Sequence, residues 1–317
     1  MPRKPIVIGV DASPEAAGAA ALGLKLAQRS GARCQLVHAA RDVWTELAAV
    51  QLPDRTYELN QALQNQARDQ VAAALTNAVP RELIEKMMVR LGRAAVVIQG
   101  VATELDAGLI VLGGKHHTAL GRWLGGSTSL NVVRTAKVPV LVTARSPVEL
   151  TRVMVAVDFS PAAKPTIELA EHYAKLAGAK LRALSVMEPL PVVPELPPAN
   201  PAEYYQLSEE LLERDIWPLV TLPGAERLAR HGMVVDTLLR EVSEWPADLL
   251  VVGSHGKGWA QRVLIGSVTE QLLNHLPTSL LVVPVGVTTA LVPEPAAAKQ
   301  PRRRVRRAKG KTKTTRR

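Results

Sequence analysis

The chain holds one cysteine in 317 residues, Cys34. An intrachain disulfide is therefore impossible, and the apolar run CQLVHAA around that residue points to a core thiol rather than a reactive one. No apolar run approaches the roughly 20 residues of a membrane span. The opening MPRKPIVIGVDAS is a basic stub leading into a strand, not the apolar core of a signal peptide, so a cytoplasmic location is the expectation. Aromatic residues make up 3% of the chain, and Trp123, Trp217, Trp245 and Trp259 are too scattered to form a stacking platform for single strands. Acids are missing after Glu294, where 11 basic residues fall between Lys299 and Arg317, leaving 28 basic against 29 acidic residues in the rest. The formal charge of +10 thus belongs to a cationic tail on a neutral body. Such a run buries no apolar surface and repels itself, so residues 288–317 are expected to be disordered and to offer polyanions, nucleic acid first, a contact through 299–317.

Several catalytic patterns are also missing. GGKHHT is not a P-loop, because Gly-Lys-Ser/Thr with a glycine five residues earlier is absent. His38, His116 and His117 have no Cys or His partners at zinc spacing, and a lone strand histidine such as His38 reads as a satisfied structural residue. No G-x-S-x-G elbow surrounds Ser267. Glu241, Glu244 and Asp248 are spaced as helix surface or caps.

What the chain does have is an internal repeat. PIVIGVDASPEAAGAAALGLKLAQRSGARCQLVHA matches RVMVAVDFSPAAKPTIELAEHYAKLAGAKLRALSV at an offset of 147, with Asp11 opposite Asp158 and Ser13 opposite Ser160. Each copy reads as a strand, a turn closed by Asp and Ser, a helix opened by Pro14 or Pro161 and stopped by Gly31 or Gly178, and a second strand. Later in each copy LIVLGG or LLVVGS, a glycine loop, a helix and a last strand (VPVLVTA, TSLLVVP) follow. The alternation predicts an α/β fold of two tandem open parallel sheets, over 1–147 and 148–287. The offset drops to 140 at Gly113 and Gly253, which places a loss of about seven residues near VVDTLLREVSEWPAD, in the third strand or its crossover helix. Residues 53–79 read as one long helix, whereas 188–202 hold six prolines and read as irregular.

In an open parallel sheet, ligands sit at the carboxyl ends of strands where the strand order reverses, and Gly253 ends such a strand. Gly253-x2-Gly256-x9-Gly266-Ser267 lets backbone amides approach an anion, and the helix opened at Gly266-Ser267 adds its positive end. Phosphate is the natural guest. On these residues and the VDxS turns, the chain resembles a tandem universal stress protein over roughly 4–145 and 151–286. The resemblance implies ATP or another adenine nucleotide in the second domain, at Asp158, Val186, Gly253, Gly256, Gly266, Ser267 and the backbone of Val268. It also implies domains paired through their last strands as a pseudo-dimer, and it allows a homodimer of such chains.

The first domain keeps Asp11, Gly113, Gly126 and Ser127 but has His116 for the middle glycine and Ala39 for Val186. If that position needs φ > 0 or close phosphate approach, a side chain there costs about 1 kcal/mol in strain, so this site should bind weakly or not at all. In the alternative, His116 and His117 add pH-sensitive phosphate contacts. The functional expectation is a non-catalytic ATP-binding stress regulator. The alternatives are a slow ATP-hydrolysing enzyme assisted by Mg²⁺ and a nucleic-acid or ribosome adaptor working through the tail.

Overall fold

Short runs of Val, Ile, Leu and Ala form the strands, and stretches with apolar residues at helical spacing form the helices that cover them. The computed structural model describes residues 3–40, 56–114, 128–144, 149–190, 200–256 and 265–286. The first repeat contributes β1 (Ile6–Gly9), α1 (Pro14–Ser30), β2 (Cys34–Ala40), α2 (Thr56–Leu75), α3 (Arg81–Glu85), β3 (Met88–Leu91), α4 (Ala94–Glu104), β4 (Leu109–Gly113), α5 (Thr128–Thr135) and β5 (Val140–Thr143). The second contributes β6 (Arg152–Val157), α6 (Ala163–Ala177), β7 (Lys180–Met187), α7 (Pro201–Leu211), a π-turn (Leu212–Ile216), a 3-10 turn (Trp217–Leu219), β8 (Glu226–His231), α8 (Val234–Glu244), β9 (Leu249–Gly253), α9 (Ser267–His275) and β10 (Ser279–Val283).

These strands make one sheet in the order β3-β2-β1-β4-β5-β10-β9-β6-β7-β8. Pairing is parallel within each repeat and antiparallel only between β5 and β10, where Leu141 faces Leu281. The last strands are thus the seam of a pseudo-dimer. Side chains alternate between two buried layers: Val153, Val155, Leu249 and Val251 pack with α1 and α6, whereas Met154, Leu250 and Val252 pack with α8 and α9. A strand buried on both faces needs apolar residues at odd and even positions, which is why LIVLG and LLVVG are continuous apolar runs. Both layers include residues of both repeats, so the cores run across the seam. Among the described residues no helix is long and apolar enough to cross a membrane.

Local differences from the sequence expectation have physical causes. Ser13 caps α1, its Oγ accepting the Ala16 N–H at 3.2 Å, but Ser160 does not cap α6. A turn through Pro161 and Ala162 delays that helix to Ala163. Gly31 (φ 66°) and Gly178 (φ 68°) end both helices in the left-handed conformation as expected. The helix expected over 53–79 ends at Leu75, where Thr76 Oγ1 donates back to Ala72 O at 2.9 Å and Val79 N–H bonds Leu75 O, while 53–55 lie outside the described residues. Residues 201 and 202, read as irregular, open α7 under the side-chain cap of Asn200. The seven-residue loss is not in the third strand or its crossover helix: α4 and α8 each have 11 residues, and β8 has 6 against 4 in β3. Gly92 and Gly232, which follow those strands, each donate to the last residue of the preceding strand, Ala40 or Met187, so the lower offset is already in place there. The shortening lies between the second and third strands.

Candidate functional site

The second repeat forms its site where β6 and β9 end side by side. Asp158 follows β6 and accepts the Ser160 N–H on Oδ1 at 3.0 Å, which folds the chain away from the strand end and leaves the carboxylate at the rim. Three bonds then fix the path after β9. Ser254 N–H donates to Val283 O at 2.8 Å, Gly266 N–H returns to Ser254 O at 2.8 Å, and the buried Thr269 hydroxyl donates to Gly253 O at 2.8 Å. Gly266, extended at φ −61° and ψ 142°, stands at the start of α9 with no side-chain cap. Among the described residues no side chain caps the first amides of α9, and the positive end of the helix lies behind them.

These elements enclose a cavity of about 680 Å³. Asp158, Val186, Gly253, Gly256, Gly266, Ser267 and Val268 all line it. At these glycines space matters rather than backbone sign: neither Gly253 nor Gly256 has positive φ. A Cβ at Gly256 would lie 3.0 Å from Asp158 Oδ2, and one at Gly253 would lie 3.2 Å from Ala162 Cβ. Left-handed backbone is thus not the reason for the middle glycine, and the neighbour that a side chain there would meet is the Asp158 carboxylate. The titratable side chains on the described walls are Asp158, Glu188, Tyr204 and His255, with no Lys or Arg among them. An anion here would be met by backbone dipoles. Sequence reasoning missed Tyr204 and Ser208 of α7 and Val234 and Leu238 of α8, which close the far side of the cavity. Their spacing of four is a helix signal, but the prolines before α7 obscured it.

In the first repeat, Asp11 Oδ1 accepts the Ser13 N–H at 2.9 Å, and Ser129 Oγ donates to Gly113 O at 3.2 Å, matching Asp158 and Thr269. A Cβ at Gly113 would lie 2.7–2.9 Å from backbone atoms of Glu15 and Ala16, so this glycine lets α1 pack on the end of β4. Gly126, Ser127, His116 and His117 lie outside the described residues. His38 is the structural residue expected, with Nδ1 2.7 Å from Val10 O. Burial pushes the Cys34 thiol up to about 12, which suits a core role. Asp248 caps the start of β6, accepting the N–H groups of Thr151 and Arg152. Glu241 is not a surface group. It is 3% exposed and accepts from Arg230 at 2.5 Å, with Arg182 at 3.5 Å and stacked over Trp245, because a carboxylate buried on α8 must be paired.

The model of the universal stress protein family matches residues 2–144 and again 149–284. The chain belongs to the universal stress protein family. Among its relatives, a universal stress protein of Mycolicibacterium smegmatis is 26% identical over 295 residues, covering 88% of this chain and 96% of the relative. One from Mycobacterium tuberculosis is 29% identical over 301 residues, covering 86% and 95%. The crystal structure of a universal stress protein from Archaeoglobus fulgidus superposes with a TM-score of 0.57 at 18% identity, covering 89% of this chain and 96% of that one, and supports the fold. The universal stress protein match thus takes in both repeats and stops before the cationic tail.

Proposed function

We propose that the second domain binds an adenine nucleotide, ATP in the first instance, and that the chain acts as a non-catalytic regulator of a stress response in the cytoplasm. One observation carries the reading: the seven residues singled out in the sequence line a single cavity of about 680 Å³ together with the uncapped start of α9. That volume lies within the range of about 300–1,000 Å³ typical of small-molecule sites. Its two ends differ in chemistry. Gly253, Gly256, Gly266 and Ser267 offer backbone to phosphates, and Val186, Met187, Val234 and Leu238 offer an apolar slot to a base. Mg²⁺ accompanying the nucleotide would take its oxygens mainly from the phosphates, since no group of three His, Cys, Asp or Glu among the described residues could hold a metal ion.

Calorimetric titration with ATP tests the reading, with about one site per chain as the expected result. Two equal sites would contradict the weak first domain, and no site would overturn the reading. Stoichiometric ATP with Mg²⁺ should release phosphate over minutes to hours per event, against ordinary enzyme rates of about 1–1,000 per second. Release at several per second that is lost in Ser267→Ala would favour the enzyme instead. A second reading, an adaptor acting through its tail, is favoured by the 11 cations after Glu294 and is checked by the salt dependence of polyanion binding.

A further inference from the structure

The seam between β5 and β10 is symmetric in its backbone and one-sided in its side chains. Around the Leu141–Leu281 pair, Leu280 faces Val142 and Val282 faces Val140. With an offset of 140, a contact between residue i of the first domain and residue j of the second has a counterpart between i + 140 and j − 140. Three seam contacts have counterpart positions of different chemistry. Leu276 of the second domain sits against Gly114, where even a Cβ would lie 2.1 Å from its Cδ2; the counterpart residues are Ser254 and Ala136. Glu270 pairs with Arg134 at 2.7 Å, and the counterparts are Leu130 and Asn274. Ser279 Oγ accepts the Ala144 N–H at 3.2 Å, whereas the counterparts are Pro139, without a hydroxyl, and Pro284, without an N–H.

The geometry points to a seam that accepts one domain of each kind and rejects pairing of two first or two second domains. Two second domains would press Leu276 onto Ser254, a residue with a side chain where Gly114 has none. They would also set Glu270 opposite an uncharged Asn274 and Ser279 opposite Pro284. Two first domains would leave Arg134 facing Leu130, and Ala136 would fill less of the space over Gly114 than Leu276 does. Leu276 itself holds left-handed backbone at φ 40°, a conformation a leucine keeps only when its surroundings enforce it. The partner this surface fits is therefore the other half of the chain. A second copy entering through the same edge could be seated only by exchanging unlike domains.

The test cuts the full chain after folding. A protease site replacing residues 145–148 allows cleavage between β5 and β6, and native mass spectrometry then counts the pairs formed after the two halves are separated in urea and refolded together. Only unlike pairs are expected. Like pairs in the binomial proportion of free exchange, or halves that separate into monomers, would overturn the inference. In the cut protein Glu270→Lys, which sets two cations face to face, should lower the share of unlike pairs, and an unchanged share would overturn the part given to the ion pair. No nucleotide enters this measurement, so its outcome is independent of the proposed ATP site.

Discussion

At the scale of single residues, space around Gly256 is the sharpest constraint on the proposed site. Gly256→Ala places a methyl 3.0 Å from Asp158 Oδ2, a contact relieved by a few tenths of an ångström of carboxylate movement. Gly256→Val puts a branched side chain beside the same carboxylate and into the cavity that Gly256 lines. Calorimetry should find ATP affinity reduced in the first and absent in the second, with the thermal midpoint of the nucleotide-free protein little changed in both. His172 supports a pH prediction. Burial, with Lys175 close by, pushes it down to about 4 from the ordinary 6.5. Below pH 6.5 the unfolded chain takes up a proton that the folded chain refuses until about pH 4, so stability is retained above this window and falls as pH drops through it. The loss is at most about 3–4 kcal/mol. Urea unfolding at pH 7 and pH 4.5 should show a smaller loss in His172→Leu than in the parent, and equal losses would count against a buried neutral imidazole. The Gly-x2-Gly-x9-Gly-Ser spacing was legible in the sequence because it is a local pattern between an apolar run and a helix start. Tyr204 and Glu241 were not, because their roles depend on which side of a helix meets the body, and a spacing of three or four does not say which face is buried.

At the scale of elements, α9 is the part whose geometry matters most for an anion. Ser267 is its first residue and Gly266 before it is already extended, as a residue preceding proline must be. Ser267→Pro should therefore keep the helix while deleting one amide hydrogen from the cavity wall. A hydrogen bond to a charged group is worth about 1.5–3 kcal/mol, so ATP affinity should fall by about ten- to a hundredfold with circular dichroism unchanged. Unaltered affinity would remove the Ser267 amide from the proposed phosphate contacts. The strands and the helices α1, α5, α6 and α9 were readable, since apolar runs and glycine stops are local, whereas α3, α7 and the turns that follow α7 were not. The seven-residue shortening was misplaced because a change of offset between two matched segments fixes how much chain is lost, not where; only the matched bonds of Gly92 and Gly232 locate it before the third strand. Ser160 was expected to repeat Ser13, but a cap depends on where the first helical residue falls, and one extra turn through Pro161 moved it.

At the scale of the whole molecule, a near-neutral body carries 11 cations between Lys299 and Arg317 with no aromatic among them. Charge without stacking groups predicts polyanion binding driven by counterion release and indifferent to sequence. Engaging five or six phosphates of duplex DNA would give a slope of log affinity against log salt of about −5, roughly a thousandfold loss between 50 and 200 mM. A chain ending at Val287 should lose this binding, and equal binding by the two forms, or a flat slope, would sink the adaptor reading while leaving the proposed nucleotide site untouched. The antiparallel seam adds a directional consequence. Because β5 and β10 run in opposite senses, the carboxyl-terminal rims of the two half-sheets face opposite poles, so a single nucleotide could not bridge Asp11 and Asp158. The chain also leaves β10 on the pole of the second domain, at Val283, whose carbonyl holds the Ser254 amide of the glycine loop. The last described residues, 284–286, therefore stand on the pole where the proposed nucleotide mouth opens.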